Sequence, residues 1–117
     1  MSKFSIRSIK GTQDILPDQS SQWQSLEEAI RNFMGHYGYQ EIRTPTFEQT
    51  DLFVRSMGKE TDIVSKEMYS WTDQGGENLT LKPELTAPVA RAYIQHNLGG
   101  QSPINKLYYI DTLFRRE

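Results

Sequence analysis

The first regular pattern in the chain is a stripe of large apolar residues at helical spacing. After Pro17 an apolar side chain recurs every three or four positions, and the stripe consists of Trp23, Leu26, Ile30, Phe33 and Tyr37. This spacing places the apolar side chains on one face of a helix. The sequence therefore predicts an amphipathic helix over 18–37, with Asp18 or Ser20 as its N-terminal cap and Trp23 in a core.

Strand-like and helical segments alternate through the rest of the chain. The predicted elements are, in order, a strand over 39–49, a helix over 51–57, a hairpin around QGGEN, a helix over 84–97 and a strand over 105–117. Pro45 cannot donate a ladder hydrogen bond, so the first strand is expected to end there. Thr86 is predicted to cap the second of these helices. Helices and hairpins without βαβ units favour the α+β class, an antiparallel sheet flanked by helices.

Composition narrows the possible functions. The chain has 117 residues, of which 36% are hydrophobic and 24% charged, and this suits one domain or part of one. The net charge of −2 provides no bulk attraction to nucleic acid. The chain has no cysteine, which excludes disulfides, thiolate metal sites and cysteine nucleophiles. It also lacks a secretory signal and an apolar stretch of about 18 residues, so we expect a cytoplasmic protein without membrane contact.

The charged end of the last predicted strand is a candidate site. Side chains alternate between the two faces of a strand, so Arg115 and Glu117 share one face while Phe114 faces a core. An arginine in this position can bind a phosphate through two hydrogen bonds, and the carboxylate can accept one from an amine. The alternative is a solvated strand face that carries an ion pair, and the spacing alone leaves both interpretations open.

A second candidate site lies in the segment LKPELTAP. Glu84 is predicted on the turn between a strand and a helix, and Thr86 follows two positions later. A carboxylate and a hydroxyl in this arrangement can bind an ammonium group. The alternative is a helix cap, because an acidic residue at a helix N-terminus is stabilised by the helix dipole. Spacing does not separate the two interpretations.

Two other features of the sequence could indicate a functional site, but neither meets the requirements for one. The segment MGKET contains Gly-Lys but lacks the upstream glycine of a phosphate-binding P-loop. His36 and His96 lie far apart in the sequence and near predicted helix C-termini, where a cationic imidazole is favourable. The sequence therefore predicts neither a P-loop nor a metal site made by the protein.

Five segments of the chain resemble the histidyl-tRNA synthetases, which are class II aminoacyl-tRNA synthetases. They occur in the family's order and are IKGTQDILP, FMGHYGYQEIRTPTFEQTDLF, MGKETDIVSKEMYSW, LTLKPELTAPVARAY and KLYYIDTLFRRE. The resemblance covers nearly the whole chain, and KPELTAPVAR and TDIVSKEMY are specific to this family within the class. One departure is Lys82, which replaces the arginine that usually precedes the proline of that segment.

The resemblance implies that residues 1–117 are part of a catalytic domain. The helix over 18–37 and the strand over 39–47 resemble motif 1, which forms the dimer interface in the family and ends in a proline, so a homodimer is expected. Residues 114–117 resemble the first strand of motif 2. Motif 3 and the anticodon-binding domain have no counterpart in the chain. We therefore expect an N-terminal fragment of the catalytic domain that is inactive by itself.

The resemblance also implies roles for individual residues. Arg115 is the catalytic residue and binds the α-phosphate of ATP, and Glu117 meets the adenine end. Glu84 and Thr86 bind the α-amino group of L-histidine. The implied reaction uses ATP with Mg²⁺ to form histidyl-adenylate and then transfers the histidyl group to tRNA(His). Catalysis of this kind rests on positioning and charge stabilisation.

Two alternatives from other functional classes stay open at this point. One is the synthetase-like regulatory subunit of ATP phosphoribosyltransferase in histidine biosynthesis, which resembles the synthetases in this region without charging tRNA. The other is a purely structural dimerisation domain. The intact FRRE and KPELTAP segments favour the synthetase.

Overall fold

The computed structural model describes residues 5–58 and 66–116. The helices and strands of this part of the chain are, in order, α1 (Pro17–His36), β1 (Gln40–Glu41), β2 (Phe47–Gln49), α2 (Thr50–Met57), β3 (Ser70–Thr72), β4 (Asn78–Leu81), α3 (Thr86–Gln95), α4 (Leu98–Gln101) and β5 (Leu107–Tyr108). The chain divides into two compact units, Met1–Tyr37 and Gly38–Glu117. A helix that could cross a membrane does not occur among the described residues.

Helix α1 is the only regular element described in the first unit, and it confirms the predicted amphipathic helix. Pro17 occupies its first turn, where the missing proline N–H would have had no intrahelical partner. The expected cap by Asp18 or Ser20 was wrong, because Leu16 is the N-cap residue and no side chain caps the helix. No residue of α1 is buried, and Trp23, predicted in a core, is 52% exposed.

The second unit is built on a three-stranded antiparallel sheet with the strand order β2-β4-β3. The hairpin β3–β4 confirms the turn predicted at QGGEN, and Trp71 pairs with Leu79 in its register. Gly76 has a φ of +87° in this turn, and its N–H donates to the carbonyl of Asp73 at 3.1 Å. A glycine is needed there because other residues rarely adopt this conformation. The sheet agrees with the predicted fold class.

Pro45 divides the strand predicted over 39–49 into β1 and β2, and β1 forms a second, parallel pair. Gln40 pairs with Leu107 in that register, and Glu41 pairs with Tyr108. This parallel pair was not part of the antiparallel prediction. Within the described part of the strand predicted over 105–117, which ends at residue 116, ladder pairing occurs only in β5, and residues after β5 make isolated hydrogen bonds. These bonds bring the end of the chain to the segment after β4.

The core of the second unit lies where α2 contacts β4 and α3. Phe53 of α2 is fully buried, and Ala87 and Ala92 are the buried alanines of α3. The buried hydroxyl of Thr80 in β4 hydrogen-bonds to Thr50 at 2.7 Å and to Ser70 at 2.8 Å. Strand β4 is therefore fixed from both sides, and the predicted site follows directly after it.

Candidate functional site

Glu84 lies on the turn between β4 and α3 and caps the helix. Its carboxylate accepts hydrogen bonds from the backbone N–H of Thr86 at 2.7 Å and of Ala87 at 2.9 Å. These are N–H groups that an α-helix leaves without partners, and the negative charge suits this end of the helix dipole. Thr86 is the first residue of α3, so its predicted capping role was wrong. The cap leaves acceptor capacity on both carboxylate oxygens.

Arg115 is attached to the same turn. Its Nε–H donates to the carbonyl of Pro83 at 2.8 Å, between residues 32 positions apart in the sequence. Beside it the backbone N–H of Phe114 donates to the carbonyl of Lys82 at 2.9 Å. An end-on phosphate contact uses the terminal nitrogens of the guanidinium, so it is compatible with the bond that Nε makes. The structure thus brings Arg115 to the turn that carries Glu84, and so joins two segments that the sequence offered as separate candidate sites.

The neighbouring arginine has different surroundings. The guanidinium of Arg116 lies over the ring of Tyr69, 5.6 Å from its centroid. Its backbone N–H donates to the carbonyl of Glu67 at 2.6 Å. The two arginines therefore have different partners, although the segment that carries them is not part of a strand. Glu117 lies outside the described residues, and its role stays a prediction.

Thr86 has one partner that sequence analysis did not anticipate. Its hydroxyl lies 3.1 Å from the hydroxyl of Tyr109, and either group can be the donor. When Thr86 donates to Tyr109, its oxygen lone pairs are available to accept from an ammonium group. Tyr109 belongs to the same segment as Arg115, so this contact is a second connection between the turn and the end of the chain.

Lys82 and Asp111 form an ion pair that sequence analysis missed. Lys82 is buried, with 1% of its surface exposed. Its ammonium donates a hydrogen bond to the Asp111 carboxylate. It also donates to the carbonyl and to the hydroxyl of Thr44, each at 3.4 Å. Burying a charge is costly unless it is paired, and Asp111 supplies the opposite charge. The available signal was the position of Lys82, two residues after Thr80, because both side chains share the buried face of β4 and its continuation.

The ion pair with Lys82 alters the pKa of Asp111. The hydrogen bond from the Lys82 ammonium lowers the pKa of Asp111 below its ordinary value, and this effect exceeds the raising effect of partial desolvation. The backbone N–H of Thr112 and the charges of Lys82 and Arg43 lower the pKa of Asp111 further. Asp111 is therefore a carboxylate at neutral pH and keeps the buried ammonium neutralised.

A separate concavity of about 700 Å³ lies among β2, α2 and α3. Two ion pairs line it: Arg91 binds Glu48 through two hydrogen bonds of 3.1 and 2.9 Å, and Arg55 binds Asp51 at 2.6 Å. The predicted site residues do not line this concavity. Across residues 5–58 and 66–116, no group of three or more histidine or acidic side chains is placed to hold a metal ion.

Comparisons with known proteins agree on one family. The family model for histidyl-tRNA synthetase matches residues 11–117. A histidine–tRNA ligase from Chloroherpeton thalassium is 54% identical over 112 residues, which are 95% of this chain and 26% of that protein. The apo histidyl-tRNA synthetase of S. aureus superimposes with a TM-score of 0.77 at 42% identity, over 95% of this chain and 26% of that one.

A third similar protein bears on the alternatives. It is a Bacillus halodurans protein described as an ATP phosphoribosyltransferase regulatory subunit/histidyl-tRNA synthetase. Its TM-score is 0.76 at 25% identity, over 97% of this chain and 29% of that one. The chain spans about a quarter of the length of the curated relatives that it matches, such as the 26% of the Chloroherpeton protein.

Proposed function

The chain belongs to the histidyl-tRNA synthetase family, and on that premise we propose that residues 1–117 are part of the catalytic domain of a histidine–tRNA ligase. In the proposed reaction the carboxylate of histidine attacks the α-phosphorus of ATP, which gives histidyl-adenylate and pyrophosphate. The histidyl group then passes to the 3′ end of tRNA(His). The observation that carries the proposal is the 2.8 Å hydrogen bond from Arg115 to Pro83, because it joins the proposed phosphate ligand to the turn that carries Glu84.

Arg115 is the proposed catalytic residue. Negative charge increases on the oxygens of the α-phosphoryl group as the histidine carboxylate attacks, and a guanidinium beside them stabilises that charge. The bond from Nε to the Pro83 carbonyl supports this role, because a donor already fixed before the reaction needs no reorganisation during it. No protein nucleophile is required in this mechanism.

Glu84 and Thr86 are proposed to bind the α-amino group of histidine. The carboxylate of Glu84 offers charge, and the hydroxyl of Thr86 offers a second acceptor. Both are attached to the N-terminus of α3, so the cap that Glu84 makes also restricts the position of its carboxylate. An ammonium group would bind between them without displacing the two backbone N–H groups.

The remaining ligands belong to the same proposal. ATP is a substrate, and Mg²⁺ is proposed to arrive with its phosphates, since the described residues offer no cluster of three ligands for it. Glu117 is proposed to contact the adenine end of ATP. Contacts with tRNA(His) are proposed for parts of a longer protein. We also propose that the enzyme acts in the cytoplasm.

A homodimer is also proposed, with motif 1 as its interface. Within the first unit α1 carries Trp23, Leu26 and Phe33, which are 52%, 54% and 60% exposed. Moving a fully exposed apolar side chain of this size into a core is favourable by roughly 1.5–3 kcal/mol, and about half of that is available for these half-exposed side chains. This exposed stripe supports the proposal that the helix resembling motif 1 contacts a second copy.

The regulatory subunit of ATP phosphoribosyltransferase is the second candidate function, and the Bacillus halodurans protein is the observation in its favour. Identity is higher to the Chloroherpeton ligase and the S. aureus synthetase, at 54% and 42%, than to that protein at 25%. A purely structural domain would not need a charged site of this kind. We therefore favour the synthetase over both alternatives.

A chimera tests the proposal directly. Residues 1–117 replace the matching segment of the S. aureus synthetase, and histidine-dependent exchange of pyrophosphate into ATP is measured after the chimera's folding is verified by circular dichroism. We expect exchange at a rate within about tenfold of the S. aureus enzyme, a difference of about 1.4 kcal/mol in activation free energy. A folded chimera without histidine-dependent exchange would refute the proposed function. The chimera with Arg115→Ala is the negative control.

A further inference from the structure

Lys82 connects three segments that are distant in the sequence. Its backbone N–H donates to the carbonyl of Thr46 at 3.1 Å, and its backbone carbonyl accepts from the N–H of Phe114 at 2.9 Å. Its ammonium reaches Thr44 at 3.4 Å and binds the carboxylate of Asp111. One residue therefore joins the segment after β1, the turn after β4 and the segment after β5.

Each member of the ion pair lies close in sequence to proposed site residues. Lys82 immediately precedes the turn that carries Pro83 and Glu84, and Asp111 lies between Tyr109 and Arg115. Bonds between these two segments occur on both sides of Asp111 in the sequence. Thr86 meets Tyr109 before it, and the Arg115 Nε–H meets the Pro83 carbonyl after it. The pair thus adds a salt bridge between two charged side chains to these hydrogen bonds.

An ion pair with one buried member is a poor way to gain stability alone, because desolvation of the buried ammonium offsets much of the attraction. It does constrain geometry, since the side chain of Lys82 is 2% exposed and a buried ammonium without its carboxylate is strongly unfavourable. The segment with Asp111 therefore cannot separate from the turn without exposing or stranding that charge. A pair of apolar residues would allow the two segments to slide.

We propose that Lys82 and Asp111 are the positioning pair of the site: their contact holds the segment that carries Arg115 in register with the turn that carries Glu84. In this proposal the pair acts through the position of Arg115 and does not itself bind substrate. Its role in catalysis rests on the proposed function, whereas its effect on the position of Arg115 is a property of the chain itself. The two can therefore be tested separately.

Hydrogen exchange in the 117-residue chain measures this position without any substrate. Two protons report on it, the Arg115 Nε–H and the Phe114 backbone N–H, because both donate to the turn. Two others serve as internal references, the backbone N–H of Leu81, which donates to Tyr69, and that of Ile42, which donates to Tyr108. NMR-detected exchange follows all four in one sample.

Asp111→Asn removes the charge at nearly constant size, and we expect it to accelerate exchange of the two reporter protons by about tenfold or more while the references change less than about twofold. Asp111→Glu keeps the charge and should retain protection, since Asp111 is 42% exposed and has room for a methylene group. Asp51→Asn is the matched control, because it breaks the exposed pair with Arg55 and should leave all four protons unchanged.

Three results would overturn the proposal. The first is unchanged exchange of the reporter protons in folded Asp111→Asn, and the second is acceleration of all four protons alike, which marks a general stabiliser. If Asp111→Asn does not fold, acidification of the unchanged chain decides: protection of the reporters should fall together with the titration of Asp111, whose charged neighbours are Lys82 and Arg43. The third result that would overturn the proposal is protection of the reporter protons that stays unchanged while Asp111 titrates. An inactive chimera would refute the proposed function but would not affect the result of the hydrogen-exchange experiment.

Discussion

Glu84 shows how one residue can satisfy the fold and serve the site. Sequence analysis left a helix cap and an ammonium ligand open for it, and the structure establishes the cap. The sequence predicted that Glu84 and Thr86 lie at the start of the helix, but it did not predict that Glu84 and not Thr86 caps the helix. It depends on the dihedral angles of the turn, and Leu85, which precedes the helix, is already in the αR region.

Glu84→Gln in the chimera tests the amino-acid site. The amide keeps one oxygen for the cap but loses the charge that attracts an ammonium group. We expect the KM for histidine to rise by about tenfold or more, corresponding to a charge-assisted hydrogen bond of about 1.5–3 kcal/mol, with the KM for ATP unchanged. Steady-state pyrophosphate exchange separates the two constants. An equal rise in both would contradict the assignment of Glu84.

Asp111 gives the chain a dependence of stability on pH. The pKa of Asp111 is lower in the folded chain than its ordinary value of 3.8, so the folded state releases this proton more readily than the unfolded state. The stabilisation is therefore fully present above about pH 4 and is lost as pH falls through the folded pKa.

Urea unfolding of the chain and of Asp111→Asn at a series of pH values checks this dependence. We expect the difference in free energy of unfolding to be constant above pH 3.8 and to shrink below it. Asp51→Asn serves as the comparison for an exposed carboxylate. A difference that grows on acidification would show that the sign is wrong.

Among the secondary-structure elements, those that depend on the local sequence were predicted correctly. The helices α1, α2 and α3 and the hairpin β3–β4 follow from spacing, Gly58 and the QGGEN turn. The parallel pair β1–β5 did not follow, because it joins Gln40 to Leu107 and no local pattern marks such distant partners. The Lys82–Asp111 pair was missed for the same reason.

The hairpin offers a test with a matched pair of glycines. Gly76 has a φ of +87°, whereas Gly75 has no such angle and an added Cβ there would lie 3.5 Å from the Asp73 side chain. We expect Gly76→Ala to lower the free energy of unfolding by about 1–2 kcal/mol, because an L-residue is strained at positive φ. Gly75→Ala should change it by less than about 0.5 kcal/mol. Chemical denaturation measures both, and equal effects would contradict the described turn.

At the scale of the whole molecule, the exposed apolar stripe of α1 predicts self-association. Phe33 is 60% exposed in the first unit, and Phe33→Glu would place a charge in any apolar interface formed there. We expect the unchanged chain to show concentration-dependent association in sedimentation velocity and the variant to show less. Glu28→Gln, at another position of α1, is the control. A monodisperse monomer at every concentration would refute the proposed interface.

Arg115, held on the turn of Glu84, is proposed to act on the α-phosphate of ATP. Histidine-dependent pyrophosphate exchange by the chimera, compared between Arg115→Lys and Arg116→Lys, tests it most directly. Lysine keeps the charge but loses the planar fork, and loss of a fixed donor costs about 10²–10³ in rate. We predict that loss for Arg115→Lys and a small effect for Arg116→Lys, since Arg116 lies over Tyr69. Exchange at the unchanged rate in Arg115→Lys, with the KM for ATP unaltered, would refute the proposed role of Arg115.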